Sequence, residues 1–169
     1  MTQVYRILRA AYARTPLARN PFEGEGAYRY GGRRSSPGTR LCYTSEHQSL
    51  AMLEYFVHLD ANDPPEDLVL VTAEVPDKLA RERIEADTLP HDWRATPSQP
   101  VLARLGDEFA QRGKSAILLV PSALAVTEYN WLLNPQHPDF ARIRVQPPQP
   151  LQYDPRMFSK SSRHRKVPR

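Results

Sequence analysis

The chain has 169 residues, 40% of them hydrophobic and 25% charged, enough for one domain with its own apolar core. No run of about 18 apolar residues occurs, which excludes a membrane-spanning helix, and the single Cys42 excludes an intramolecular disulfide. The net charge of +4 is concentrated in the last eleven positions: Ser159 to Arg169 carry five basic residues and no acid, so the rest of the chain is close to neutral.

The first element is a short strand over Val4–Leu8. From Pro16 to Thr39 the prolines Pro16, Pro21 and Pro37 and a group of glycines predict a long loop or a set of turns. Arg40–Thr44 reads as a strand. A helix follows over Glu46–Leu59, with Ser45 as N-cap and Gln48 completing a capping box. Leu68–Val75 is a strand stopped by Pro76. Ser98–Arg112 is a helix with Gly106 inside it and Gly113 at its C-cap. Ser115–Val120 is an apolar strand closed by Pro121. Asn130–Asp139, with Pro135 and Pro138, reads as loop, and Ile143–Val145 as a last strand. Strands and helices mix without regular alternation or repeat, which predicts an α+β fold with a mixed sheet flanked by helices. One compact domain over 1–158 is expected, followed by a basic tail over 159–169. That tail reads either as a nucleic-acid contact or, with no aromatic among its charges, as a solvated terminus. The lack of an apolar signal core after Met1 and the lone cysteine make a cytoplasmic location the expectation.

Chemistry is suggested first by the stretch between Gly24 and Gly38, which holds five of the seven glycines together with Tyr28, Tyr30, Arg29, Arg33 and Arg34. Glycine allows close backbone approach to a ligand, and arginine offers a planar fork of donors for phosphate. The pattern suits an anion that also carries a ring, although a solvated surface loop has the same composition. Glu54 lies in Leu50–Val57, a helical segment apolar nearly all round and therefore read as buried. A lone carboxylate there is either a structural partner of an arginine or a functional group. Arg6 sits within a strand pattern, edge-exposed or aimed into a site. Tyr43 reads as core or as a ring lining a pocket. Ser122 follows a strand, but with no G-x-S-x-G around it a nucleophile is not indicated, and a helix N-cap is the plainer role. The five histidines are scattered, and neither H-E-x-x-H nor a cysteine pair is present, so no metal site is expected. A phosphate-binding P-loop and a dinucleotide-fold glycine fingerprint are also missing.

In order along the chain stand Tyr5-Arg6-Ile7, Gly31-Gly32-Arg33, Tyr43-Thr44-Ser45, Leu50-Ala51-x-x-Glu54, Val120-Pro121-Ser122, Asn130-x-x-Leu133-Asn134-Pro135-x-His137-Pro138 and Tyr153-Asp154-Pro155-Arg156. This ordered set resembles the RES-domain family, from about Val4 to Phe158. The family pattern Gly-Gly-Arg-Trp-Asn is changed here, with Arg34-Ser35 in place of Trp-Asn. The resemblance implies an ADP-ribosyltransferase-like fold and a toxin of a bacterial toxin–antitoxin pair that degrades NAD+ with water or phosphate as acceptor. NAD+ is then a substrate, and no cofactor is implied. The resemblance also implies an Xre-like antitoxin that blocks the active-site cleft, and dimers or larger toxin–antitoxin complexes. Arg33, Glu54 and Ser122 are the implied catalytic residues; Arg6, Tyr30 and Tyr43 are the expected substrate contacts. Transfer of ADP-ribose to a macromolecule, and a non-catalytic NAD+- or nucleic-acid-binding module, are the alternatives.

Overall fold

In the computed structural model, residues 1–13, 20–60, 63 and 65–158 are described; Pro16 and the basic tail lie outside them. One mixed sheet of eight strands forms the body. The chain begins with β1 (Thr2–Arg9), an inner strand that enters the helix α1 (Ala10–Ala13). Further along come α2 (Glu25–Tyr30), β2 (Cys42–Ser45), α3 (Gln48–Phe56) and β3 (Leu68–Val75). Then follow β4 (Arg81–Arg83), α4 (Pro100–Arg112), β5 (Ile117–Pro121), β6 (Tyr129–Leu133), β7 (Arg144–Val145) and β8 (Gln149–Leu151). The strand order is β4-β5-β6-β2-β1-β3-β7, with β8 also paired to β3. Only β4 and β5 run parallel; the other pairs are antiparallel.

Two registers position the site. β1 pairs with β3 along its whole length, from Thr2 opposite Val75 to Arg9 opposite Leu68, but meets β2 only at Tyr5 opposite Ser45. The sheet therefore opens between β1 and β2 beyond that contact. On the other side of β2, Ser45 faces Asn130 of β6, and Asn130 faces Val120 of β5. Alternation along each strand divides the core between the two faces of the sheet. One face buries Val4, Leu8, Cys42, Val71, Ile117, Trp131 and Leu133 together. The opposite face takes α3 through Ala51 against Ile7, Leu68 and Leu70, and α4 through Phe109 against Leu41, Leu118, Val120 and Leu132.

The expected strand Leu68–Val75 is present with the same ends, those at Val4–Leu8 and Ser115–Val120 with shifted ends, and so is the α4 helix with Gly113 as its left-handed C-cap at φ 56°. Four expectations are corrected. The Pro16–Thr39 loop contains α2, which starts at Gly24 in the left-handed region (φ 70°); a Cβ there would also meet the backbone of Leu41 at 2.9 Å. Helix α3 is shorter than Glu46–Leu59, and its N-cap is His47, because the Ser45 hydroxyl is spent on Asn130 rather than on the helix. That helix is not buried all round: Leu50 and Ala51 are buried, while Leu53 and Val57 are 38% and 50% exposed. Finally, the first part of Asn130–Asp139 belongs to β6, since Trp131, Leu132 and Leu133 fill both faces of the sheet and outweigh the prolines after them.

Candidate active site

Three neighbouring strands, β2, β6 and β5, bring Ser45, Asn130 and the segment after Val120 side by side on the face covered by α3. Helix α3 lays Glu54 onto this row. The Glu54 carboxylate Oε1 accepts a hydrogen bond from the Ser122 hydroxyl at 2.8 Å and another from the Asn130 amide Nδ2 at 2.5 Å. Both donors are oriented by their other bonds. The Ser122 oxygen, fully buried, accepts from the backbone N–H groups of Leu124 and Ala125 at 3.1 Å each, which turns its proton toward Glu54. The Asn130 carbonyl accepts from the Ser45 hydroxyl at 2.8 Å, which turns its NH2 toward Glu54. Each assignment follows from the number of donors and lone pairs each group has.

Glu54 is half-buried, and among the described residues it makes no ion pair. The reading of Glu54 as a structural partner of an arginine is thereby set aside: neutral donors hold one oxygen, and Oε2 makes no hydrogen bond with the described residues. A carboxylate fixed through one oxygen, with no ion pair among the described residues, has the charge and orientation to stabilise a cation placed beside it.

The glycine-rich turn packs beside this row against Tyr43. A Cβ on Gly32 would stand 2.7 Å from the Tyr43 Oη, so only glycine lets the turn settle on that ring. The Tyr43 hydroxyl accepts from the Arg34 backbone N–H at 3.1 Å and shares a 2.9 Å bond with the Ser35 hydroxyl. Burial pushes the phenol pKa up, with the bonds to Ser35 and Arg34 opposing it, so Tyr43 stays neutral. Helix α4 closes the turn from outside: Gly106 sits directly on the Arg34 carbonyl, where a Cβ would come within 1.7 Å of the oxygen. Here lies the reason for a glycine inside a helix, and it was not visible in the sequence.

Of the expected residues, Glu54 and Ser122 are brought together. Arg33 makes no hydrogen bond to either; its Nη1 donates to the carbonyls of Trp93 and Ala95 at 3.0 and 3.1 Å. Arg6 is neither edge-exposed nor beside Glu54. It alternates onto the face of Val4 and Leu8 and reaches across the opening between β1 and β2, where Nη1 contacts the Cys42 Sγ at 3.1 Å and the Tyr43 carbonyl at 3.3 Å. Its buried Nε has no hydrogen-bond partner. Tyr30 is 81% exposed at the end of α2, and Arg29 is paired with Glu25 on the exposed side of that helix. Asn130 and Ser45 were missed as site residues; the signal was the β-prone run Tyr129–Leu133, masked by the prolines after it.

The fold also brings Glu128 to the adjacent pair Glu46 and His47: one ligand atom of each lies within 4.8 Å of the others. His47 Nδ1 and Glu128 are 2.9 Å apart, and Glu46 accepts from the Tyr129 N–H at 2.6 Å. Sequence spacing gave no sign of this group.

The RES domain family matches residues 3–154. The chain is 38% identical over 162 residues to the Prs ADP-ribosylating toxin of Sphingobium sp. (strain YBL2), covering 95% of this chain and 99% of that protein. It is 35% identical over 156 residues to Toxin Res of Yersinia enterocolitica, covering 91% and 98%. The fold is similar to a chain of the Mycobacterium tuberculosis MbcT–MbcA toxin–antitoxin complex, with a TM-score of 0.69, 20% identity, and 92% and 86% of the two chains covered. With the family matching nearly its whole length and relatives above 30% identity aligning end to end, the chain belongs to the RES-domain family.

Proposed function

We propose that this protein is the toxin of a toxin–antitoxin pair and that it cleaves the bond between nicotinamide and ribose in NAD+. The observation that carries the reading is the Glu54 carboxylate, anchored at Oε1 by Ser122 and Asn130 and with Oε2 unengaged. As the C–N bond stretches, the ribose gains positive charge in an oxocarbenium-like transition state. A preorganised carboxylate stabilises that charge without reorganising at the moment of reaction. The leaving group departs as neutral nicotinamide, so a strong general acid is not required. Ser122 and Asn130 position Glu54. Tyr43 offers a ring beside the same row, and Arg33 is assigned to the pyrophosphate through charge-assisted bonds; Arg6, turned to the Cys42 thiol on the opposite face of the sheet, takes no part in this reading. In this reading the carbonyls of Trp93 and Ala95 give up part of their hold on Arg33 when the substrate arrives.

A second reading shares the bond cleavage and differs in the acceptor. The relative named as an ADP-ribosylating toxin aligns over 95% of this chain, which favours weighing transfer of ADP-ribose to a macromolecule beside release with water or phosphate. Purified protein incubated with NAD+ labelled in the adenylate tests both. Nicotinamide release with free ADP-ribose or its phosphate supports degradation; label held on a protein or nucleic acid supports transfer. Full activity in Glu54→Gln overturns the role given to this carboxylate, and no nicotinamide release under either arrangement overturns the reading. The antitoxin partner is tested by co-expression with the product of a neighbouring gene.

A further inference from the structure

The Arg34 side chain is 2% exposed, yet neither Nη1 nor Nη2 has a hydrogen-bond partner. Its guanidinium lies 5.5 Å from the Trp93 ring centre, a contact that offsets only part of the cost of burying a charge. Beside it are Tyr43, whose hydroxyl accepts from the Arg34 N–H, Gly106 of α4 over its carbonyl, and the charge of Arg33. Burial lowers its pKa to about 10, and the charge of Arg33 adds to that; no carboxylate acts on it in the opposite sense. Arg34 is therefore still cationic at neutral pH, buried, and next to a second cation. Buried guanidinium groups are ordinarily forked onto an anion, and an orphaned polar atom in a packed site points to an ion or water that belongs there. Two carboxylates bound to this turn and its helix are already engaged: Asp107 accepts from the Ser36 N–H at 2.9 Å, and Glu25 is paired with Arg29 and Arg40.

We infer that Arg34 anchors a phosphate group in the enclosure formed by the glycine-rich turn, Trp93 and α4. The family pattern has tryptophan at this position, so the subsite is a property of this chain rather than of the family. The ligand is a small oxyanion, either free inorganic phosphate or the phosphate of a nucleotide. The inference does not rest on NAD+ cleavage, because its readout is binding.

The test is thermal unfolding of the full chain at constant ionic strength, in chloride, in inorganic phosphate and in ADP. It is run on the wild type and on Glu54→Gln, so that turnover plays no part. Phosphate is expected to raise Tm by several degrees in both. Arg34→Met is expected to lose the phosphate-dependent rise while unfolding in chloride at a temperature no lower than the wild type, since the unpaired charge is gone. A larger rise with ADP than with equimolar phosphate, lost in Arg34→Met, assigns the site to a nucleotide; an equal rise assigns it to the free ion. No rise in the wild type with either ligand overturns the inference. An equal rise in Arg34→Met also overturns it. Should Arg34→Met not fold, Arg34→Gln replaces it, and the wild-type titration remains decisive.

Discussion

The Ser122 hydroxyl donates to Glu54 Oε1 across 2.8 Å while accepting from two backbone N–H groups, of Leu124 and Ala125. A serine in this state holds its proton toward a carboxylate and has no free lone pair for attack. It orients Glu54. Ser122→Ala leaves both N–H groups without their acceptor and Glu54 with one donor. The expected loss of stability is about 1–3 kcal/mol, and the expected fall in kcat is on the order of tenfold to a hundredfold. On the proposed function, KM for NAD+ should change far less, because Ser122 is assigned to positioning Glu54 and not to holding the substrate. Steady-state kinetics with urea unfolding checks both parts; a KM effect with kcat intact contradicts the positioning role.

Asn130→Asp replaces a donor with a second carboxylate about where Nδ2 now stands, 2.5 Å from Glu54 Oε1. Two carboxylates that close share a proton, and the upper apparent pKa of the pair rises. Nicotinamide release by this variant should therefore be weakest in mildly acidic solution and recover as pH increases. The wild type should not show this recovery over the same interval. A pH–rate profile of the two proteins is the check.

Gly106→Ala should be among the most damaging single-methyl changes in the chain, because the added Cβ would stand 1.7 Å from the Arg34 carbonyl and both partners are backbone. A loss of about 3 kcal/mol or more is expected, with displacement of the turn that carries Arg33. Gly26→Ala is the contrast. It lies within α2 with nothing within 4 Å of the added Cβ, and should stabilise by about 0.4–1 kcal/mol. Opposite signs in urea unfolding confirm that packing against Arg34, rather than helix propensity, explains Gly106.

Tyr153 ties the C-terminal segment to the helix that carries Glu54, its hydroxyl donating to the Met52 carbonyl at 2.6 Å. Burial pushes this phenol up from 10 to about 12. The folded state thus holds the proton more tightly than the unfolded chain. Its contribution to stability is complete below pH 10 and is lost as pH rises from 10 to 12. The lowered pKa of Arg34 acts in the opposite direction over the same range, so wild type and Tyr153→Phe should be compared with each other. The variant should lose less stability between pH 10 and 12, measured by denaturant unfolding at each pH.

Elements whose pattern is local are legible in the residues alone. Val4–Leu8 and Leu68–Val75 are rich in apolar and β-branched residues, and Gly113 marks the end of α4, so strands and cap could be read without neighbours. The ordered motifs from Arg6 to Arg156 were enough to suggest the RES family, and with it Glu54 and Ser122. Which groups meet depends on how those elements pack. Ser45 reads as a helix cap because capping is local, yet pairing of β2 with β6 offers it the Asn130 carbonyl. Asn130 reads as loop because prolines follow it, yet burial of Trp131, Leu132 and Leu133 draws it into the sheet. Arg34 reads as one more loop cation, yet α4 seals it beneath Trp93. Propensity is set by neighbours in the chain, whereas partners and burial are set by strand register and helix packing between residues tens of positions apart.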